Sequence, residues 1–163
     1  MAVATIGPDR IFRMAGFQCR AALGAGGITG DKREGDRATP AGLLPLRRVL
    51  YRADRLAPPR CAVPVEPIAP DDGWCDDPDD PAYNRMIRLP AAAHAERLWR
   101  DDPLYDVIGV LGWNDRPPVR ERGSAIFLHL ARGDHAPTAG CIALARDDLL
   151  RALAAGLDAI EVG

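Results

Sequence analysis

A cysteine and a histidine twelve positions apart are the residues of this sequence best suited to covalent chemistry. His129 follows the apolar run 125–128, and Cys141 precedes a second apolar run, 142–145. A thiolate is far more nucleophilic than a thiol, and a neighbouring imidazole is the usual means of generating it near neutral pH. The polar loop between them is long enough to bring the two side chains together. We therefore predict that Cys141 is a nucleophile and His129 its base; the alternative is a buried cysteine beside a structural histidine.

Glycine directly before the cysteine adds a second chemical feature. Gly140 has no Cβ, so the backbone can turn sharply there and present N–H groups to a developing oxyanion. We predict that the N–H groups of Gly140 and Cys141 serve this purpose. Cys75 is a weaker candidate nucleophile because no histidine lies near it in sequence.

The composition predicts one soluble globular domain over residues 1–163. The chain is 47% hydrophobic and 27% charged with a net charge of −2, so it has no electrostatic footprint for nucleic acid. The spacing of its four cysteines and three histidines is not that of a structural zinc site, and we expect no metal or cofactor. If Cys141 is a catalytic thiol, at most one disulfide can form among the other three cysteines, Cys19, Cys61 and Cys75.

No apolar stretch is long enough to span a membrane, and the N-terminus lacks the basic and apolar regions of a signal peptide. Three alternatives remain open at this point. The chain is cytoplasmic, its export signal has been removed, or it is exported by a less obvious route.

The pattern of apolar residues and breakers predicts short strands. The 15 prolines and 16 glycines favour many turns over long helices. We predict two strands within 3–6 and 10–23 with Gly16 near the turn, an edge-prone strand over 43–51 bent at Pro45, and central strands over 104–111 and 124–130. Helices are expected within 91–102 and from Arg146 to Gly156, followed by a strand over 158–162.

Aspartate is concentrated between residues 71 and 80, where six of the ten residues are Asp. The run lacks the alternation and distal Glu of a calcium loop, so a solvated loop is one reading. Aromatic residues among these acids also suggest a binding groove, in which the acids could meet a substrate ammonium group. We therefore predict that Trp74, Tyr83 and Asn84 contact substrate. In the charged loop 31–37, Lys32 or Arg33 could meet a substrate carboxylate.

A strand ending in His, then a loop and Thr138-Ala139-Gly140-Cys141, resembles the signature of L,D-transpeptidases of the YkuD type. Upstream, Thr39-Pro40-Ala41-Gly42 is similar to that family's Thr-Pro-x-Gly segment. This sequence departs from the family pattern at Ala139, where a second His is usual, and at Ala143, where Arg or Asn is usual. The His-to-Cys interval is also shorter than the common one. These departures bear on how a substrate is oriented.

The resemblance implies a mainly β, single-domain sandwich or mixed sheet with one or two short helices. It also implies a cysteine enzyme of the periplasm or cell envelope that joins peptidoglycan stem peptides through a thioester, without a cofactor. Thr138 would contact substrate, and the backbone carbonyl of Leu130 would orient His129. We expect a monomer whose partners are muropeptides. The enzyme would form either diaminopimelate–diaminopimelate or L-Ala–diaminopimelate links. The alternatives are a thiol L,D-carboxypeptidase or amidase, a non-catalytic cell-wall binding module, and an unrelated cytosolic thiol protein.

Overall fold

The chain, described over residues 1–163 by a computed structural model, folds into short β-strands and one helix. The strands and the helix occur in this order: β1 (Ala2–Ile6), β2 (Ile11–Met14), β3 (Phe17–Ala22), β4 (Ile28–Thr29), β5 (Thr39–Pro40), β6 (Gly42–Tyr51), β7 (Val65–Pro67), β8 (Asp72–Cys75), β9 (Met86–Arg88), β10 (Ala95–Arg97), β11 (Val107–Leu111), β12 (Phe127–Leu130), β13 (Ile142–Leu144), α1 (Arg146–Ala154) and β14 (Leu157–Val162). No helix is both long and apolar enough to cross a membrane.

Nine of the strands form one sheet that closes on itself. Their order is β11-β12-β13-β3-β2-β1-β14-β6-β7, and β6 also pairs with β11. The long strand β6 makes this closure possible, because residues 42–45 pair with β14 and residues 46–51 pair with β11. A separate three-stranded sheet, β10-β8-β9, contains part of the Asp-rich segment. The fold is therefore mainly β with one helix, as the sequence predicted.

Two apolar clusters lie on opposite faces of β12. The larger contains 22 buried residues, among them Leu128 and Leu130 of β12 and Leu149 of α1. The smaller has 11 buried residues and includes Phe127 together with Trp74 of β8. Because successive side chains of a strand point to opposite faces, β12 contributes to both clusters and is buried throughout.

Three local predictions were wrong. Residues 91–102 contain no helix; β10 pairs there with β8, and this sheet pairing outweighs the weak propensity of a short helix. The segments 3–6 and 10–23 contain three strands, β1, β2 and β3, instead of two, although the turn near Gly16 lies between β2 and β3 as predicted. Strand β6 is not an edge strand, because it pairs with β14, β11 and β7.

Candidate active site

His129 lies on the same face of β12 as Phe127, in the wall of a cavity of about 260 Å³. Its ring packs edge-on against Tyr105, with the ring centroids 5.3 Å apart. The cavity, called here the His129 cavity, is also lined by Arg37, Glu96, Arg100, Leu104, Tyr105, Arg132, Ala136, Pro137, Thr138, Ala139 and Ala143.

The imidazole of His129 is held in one tautomer. Its Nδ1 lies 2.9 Å from the carbonyl oxygen of Leu130. A carbonyl can only accept a hydrogen bond, so the proton lies on Nδ1 and the lone pair on Nε2. Burial lowers the pKa of His129 to about 4. The ring is therefore neutral at pH 7, the form in which it can accept a proton.

Cys141 lies on the same side of the sheet as His129. Strands β12 and β13 are parallel, with Leu128 opposite Ile142 and His129 opposite Ala143. Leu128 and Ile142 both point into the larger cluster, whereas Cys141 belongs to the smaller one. The loop between the strands therefore returns the chain to form a parallel pair, and the sulfur and the imidazole face the same layer.

The thiol of Cys141 is not hydrogen-bonded to His129. Its Sγ donates to the Ala125 carbonyl oxygen at 3.1 Å and accepts from the Phe127 N–H at 3.4 Å. The residue is 9% exposed, and burial raises the pKa of its thiol to about 12. In this conformation the imidazole does not share the thiol proton, which is directed to the Ala125 carbonyl. The assignment of His129 as the base of Cys141 stays a prediction. Thiol and imidazole are both neutral, so a proton would have to leave the sulfur during its attack on a carbonyl.

The loop that precedes the cysteine is fixed by two threonines. The Thr138 hydroxyl donates to the Cys141 carbonyl at 2.7 Å and accepts from the Gly140 N–H at 3.1 Å. The Thr39 hydroxyl donates to the Gly140 carbonyl at 2.9 Å. The Gly140 N–H is therefore already engaged, and the Cys141 N–H is the amide left for an oxyanion. Thr138 acts here on the backbone, and Thr39 is a supporting residue whose signal was the Thr-Pro-x-Gly segment.

Gly140 is required by both its conformation and its surroundings. Its φ is +138°, a backbone conformation that L residues rarely adopt. A Cβ at this position would lie 2.9 Å from the carbonyl oxygen of Ala38, closer than such contacts allow.

The three residues predicted to contact substrate outside the motif are buried, not exposed. Trp74 and Tyr83 retain 7% and 4% exposure, and Asn84 retains 6%. The Asn84 amide donates to the carbonyls of Trp113 and Asn114, and its oxygen accepts from Trp74 Nε1 and the Ala125 N–H. Its hydrogen-bonding capacity is thus fully used within the protein.

Tyr83 likewise joins segments of the chain. Its hydroxyl donates to Glu34 at 2.6 Å and accepts from the Gly123 N–H at 3.0 Å. Trp74 and Asn84 line a second cavity of about 430 Å³, called here the Trp74 cavity. This larger cavity contains neither His129 nor Cys141.

Two residues that sequence reasoning missed lie beside His129. The hydroxyl of Tyr105 donates a hydrogen bond to the Glu96 carboxyl group. Burial raises the pKa of Glu96 and that of Tyr105. The guanidinium of Arg100 lies over the Tyr105 ring, 5.2 Å from its centroid. No sequence signal pointed to the pair, because Glu96 comes from the segment predicted to be helical.

The other charged candidates of the sequence are engaged or remote. Lys32 is buried and paired with Asp36, and Arg33 pairs with Asp31 on the surface. His135 lies in the loop before Cys141, where its Nε2 is buried without a hydrogen-bond partner. No group of three or more His, Cys, Asp or Glu residues is arranged to hold a metal ion.

Comparison with known proteins adds a family and a fold. A family model described as the L,D-transpeptidase catalytic domain, YkuD, matches residues 10–157. No curated protein matches the chain by sequence. Among solved structures, the chain is similar to the helical cell shape determining protein Pgp2 from Campylobacter jejuni, at 16% identity and a TM-score of 0.50 over 99% of this chain and 46% of that one. It is also similar to L,D-transpeptidase 1 from Mycobacterium tuberculosis, at 15% identity and a TM-score of 0.40 over 99% of this chain.

The chain thus spans about half of the first of these structures and 60% of the second. At such low identity the structural likeness concerns the fold alone, whereas the family match extends over nearly the whole sequence and includes both His129 and Cys141. The chain belongs to the YkuD family of L,D-transpeptidase catalytic domains.

Proposed function

We propose that this chain is a cysteine L,D-transpeptidase that acts on peptidoglycan stem peptides, with Cys141 as nucleophile and His129 as base. The observation that carries the proposal is the tautomer of His129. Its Nδ1 is fixed by the Leu130 carbonyl, and its Nε2 keeps a lone pair beside a cavity on the face that also holds Cys141. A base that orients one ring nitrogen and offers the other is the arrangement that thiol acyl transfer needs.

The first step would be acylation of the cysteine. The Cys141 sulfur leaves its hydrogen bond to Ala125 and attacks the carbonyl carbon at the L-centre of a diaminopimelate residue, while Nε2 of His129 takes the thiol proton. Collapse of the tetrahedral intermediate breaks the peptide bond and leaves a thioester, and the proton goes to the departing amine.

The second step would transfer the acyl group. An acceptor amine attacks the thioester carbonyl, loses a proton to His129, and expels the cysteine as a thiol. The Cys141 N–H would stabilise the oxyanion in both steps, a contribution of about 3 kcal/mol for one well-placed donor. Thr138 and Thr39 would support this function by fixing the backbone on either side of Gly140.

We further propose that residues 1–163 form one catalytic domain that works in the cell envelope. Pairing of β1 with β14 in a single closed sheet is consistent with one domain. The link formed would join two diaminopimelate residues, or L-Ala to diaminopimelate. If water replaced the acceptor amine, the same site would act as an L,D-carboxypeptidase. This alternative is favoured by Ala139, which stands where the family usually has a second His.

The test is incubation of the protein with purified tetrapeptide muropeptides, followed by mass spectrometry. Crosslinked dimers are expected from a transpeptidase, whereas shortened monomers alone would indicate the carboxypeptidase. The Cys141→Ala variant should form neither product. A Cys75→Ala variant, which removes another buried thiol, should behave as the wild type.

Unchanged products from Cys141→Ala would refute the assignment of the nucleophile. Binding of muropeptides by the wild type without any product would instead support the non-catalytic cell-wall module.

A further inference from the structure

Three arginines line the His129 cavity, and they differ in whether they have a partner. Arg100 is committed, since its Nε donates to Asp102 at 2.9 Å and its guanidinium lies over Tyr105. Arg37 and Arg132 are exposed and make no ion pair or side-chain hydrogen bond. The cavity therefore contains two guanidinium groups whose donors are all available.

Both arginines come from loops whose backbone is fixed by hydrogen bonds. The Arg37 carbonyl accepts from the Gly26 N–H at 2.8 Å, and the Arg132 carbonyl accepts from the His135 N–H at 2.9 Å. They come from different loops, one preceding β5 and the other joining β12 to β13. A ligand bound by both would thus contact two loops, one that directly precedes Thr39 of β5 and one that contains Thr138.

The charge of the cavity favours an anion. Its single carboxylic acid is Glu96, which is hydrogen-bonded to Tyr105 and whose pKa is raised by burial. A guanidinium group offers paired donors that match a carboxylate, and it does so better than an ammonium group. The volume of about 260 Å³ is below the usual range for drug-sized ligands, so it suits one small residue rather than a long chain.

We propose that Arg37 and Arg132 form a carboxylate subsite that determines specificity, holding the free terminal carboxylate of the residue that follows the scissile bond. The inference rests on the proposed function, since it places the departing residue in the His129 cavity. It assigns the carboxylate contact to these arginines and not to Lys32 or Arg33, whose side chains are paired with Asp36 and Asp31.

The experiment compares two synthetic tetrapeptide donors that differ only in a free or an amidated C-terminus. The wild type should favour the free acid by about 10- to 100-fold in kcat/KM, the range for a charge-assisted hydrogen-bonded contact. The Arg37→Gln/Arg132→Gln variant should lose this preference through a higher KM for the acid, so that its kcat/KM values for the two donors become equal. Arg20→Gln, an exposed arginine of β3 outside the cavity, should keep the wild-type preference.

Retention of the wild-type acid-to-amide ratio by the double variant would overturn the subsite, and so would an equal loss on both donors. A binding measurement separates this result from failure of the proposed function. In the Cys141→Ala background, tighter binding of the acid that disappears with the two arginine changes supports the subsite even if the wild type turns over neither donor. Equal binding of acid and amide contradicts it.

Discussion

The Trp74 cavity and the His129 cavity contrast in how their polar groups are used. In the Trp74 cavity, Arg47 donates to Asp115 at 2.9 Å, and Asn84 makes four hydrogen bonds within the protein. In the His129 cavity, which is smaller, Nε2 of His129 and two guanidinium groups have no protein partner. Arg85 and Arg116 of the larger cavity likewise make no ion pair or side-chain hydrogen bond. The cavities therefore differ in that only the smaller one contains an imidazole with an open nitrogen, on the face that also holds Cys141.

Hydrogen-bond partners distinguish the polar residues of the two cavities more clearly than residue type does. An aromatic pair and an asparagine in an acidic segment suggested a binding groove, yet their bonds connect the segments around residues 84, 113 and 125. A buried polar group with all its partners contributes to stability, whereas one without partners costs stability and persists where function requires it.

The largest effect is expected from His129→Gln. The variant should lower kcat/KM for muropeptides by about 10²- to 10⁴-fold, because it removes the proposed general base. Steady-state kinetics measures the loss. His94→Gln is the matched control, since His94 is exposed and paired with Asp76, and it should leave the rate unchanged. Equal rates in all three proteins would remove the chemical distinction between the two cavities.

Asn84→Ala should break the satisfied network of the Trp74 cavity. Loss of the amide removes the partner of the Trp74 indole N–H, of the Ala125 N–H and of two backbone carbonyls, so the free energy of unfolding should fall by about 3 kcal/mol. Urea denaturation measures the change. Asp79→Ala, in the same loop but exposed, should cost at most about 0.5 kcal/mol. A similar small change for Asn84→Ala would show that the network is dispensable.

Gly140→Ala should perturb the backbone beside Cys141. A positive φ and a Cβ 2.9 Å from the Ala38 oxygen should together lower the free energy of unfolding by about 2 kcal/mol. Gly133→Ala, in the same loop with no atom within 4 Å of the added Cβ, provides the control. Thermal denaturation of both variants measures the two losses of stability. Equal losses in Gly140→Ala and Gly133→Ala would contradict the prediction.

Acidification should destabilise the wild type through His129. Its pKa is about 4 in the folded protein and about 6.5 in the unfolded chain, so between these values the unfolded chain binds a proton that the folded protein does not. Stability should therefore fall as the pH drops from about 6.5 to 4. Between pH 7.5 and 5 we expect the wild type to lose roughly 2 kcal/mol more than His129→Gln. Parallel losses in urea titrations would indicate an ordinary pKa for His129.

Local patterns in the sequence predicted much of the site's framework. The apolar run before His129 forms β12, and the segment from Arg146 to Gly156 contains α1, because both signals depend on neighbouring residues. The segment around Glu96 was misjudged because its strand exists only through pairing with β8, which precedes it by some twenty residues. The propensity of a short segment contains no information about a partner strand that lies elsewhere in the chain.

By itself, the sequence identified a thiol and an imidazole on either side of a loop that ends in a glycine turn, since residue types and spacing are local properties. Only the tertiary structure decided which polar groups keep free capacity. Thr39 reaches Gly140 across 101 positions, and Tyr83 reaches Glu34 across 49. Hydrogen-bonding capacity is consumed by partners that folding brings together, so neither the burial of Cys141 nor the open Nε2 of His129 could be read from the order of residues.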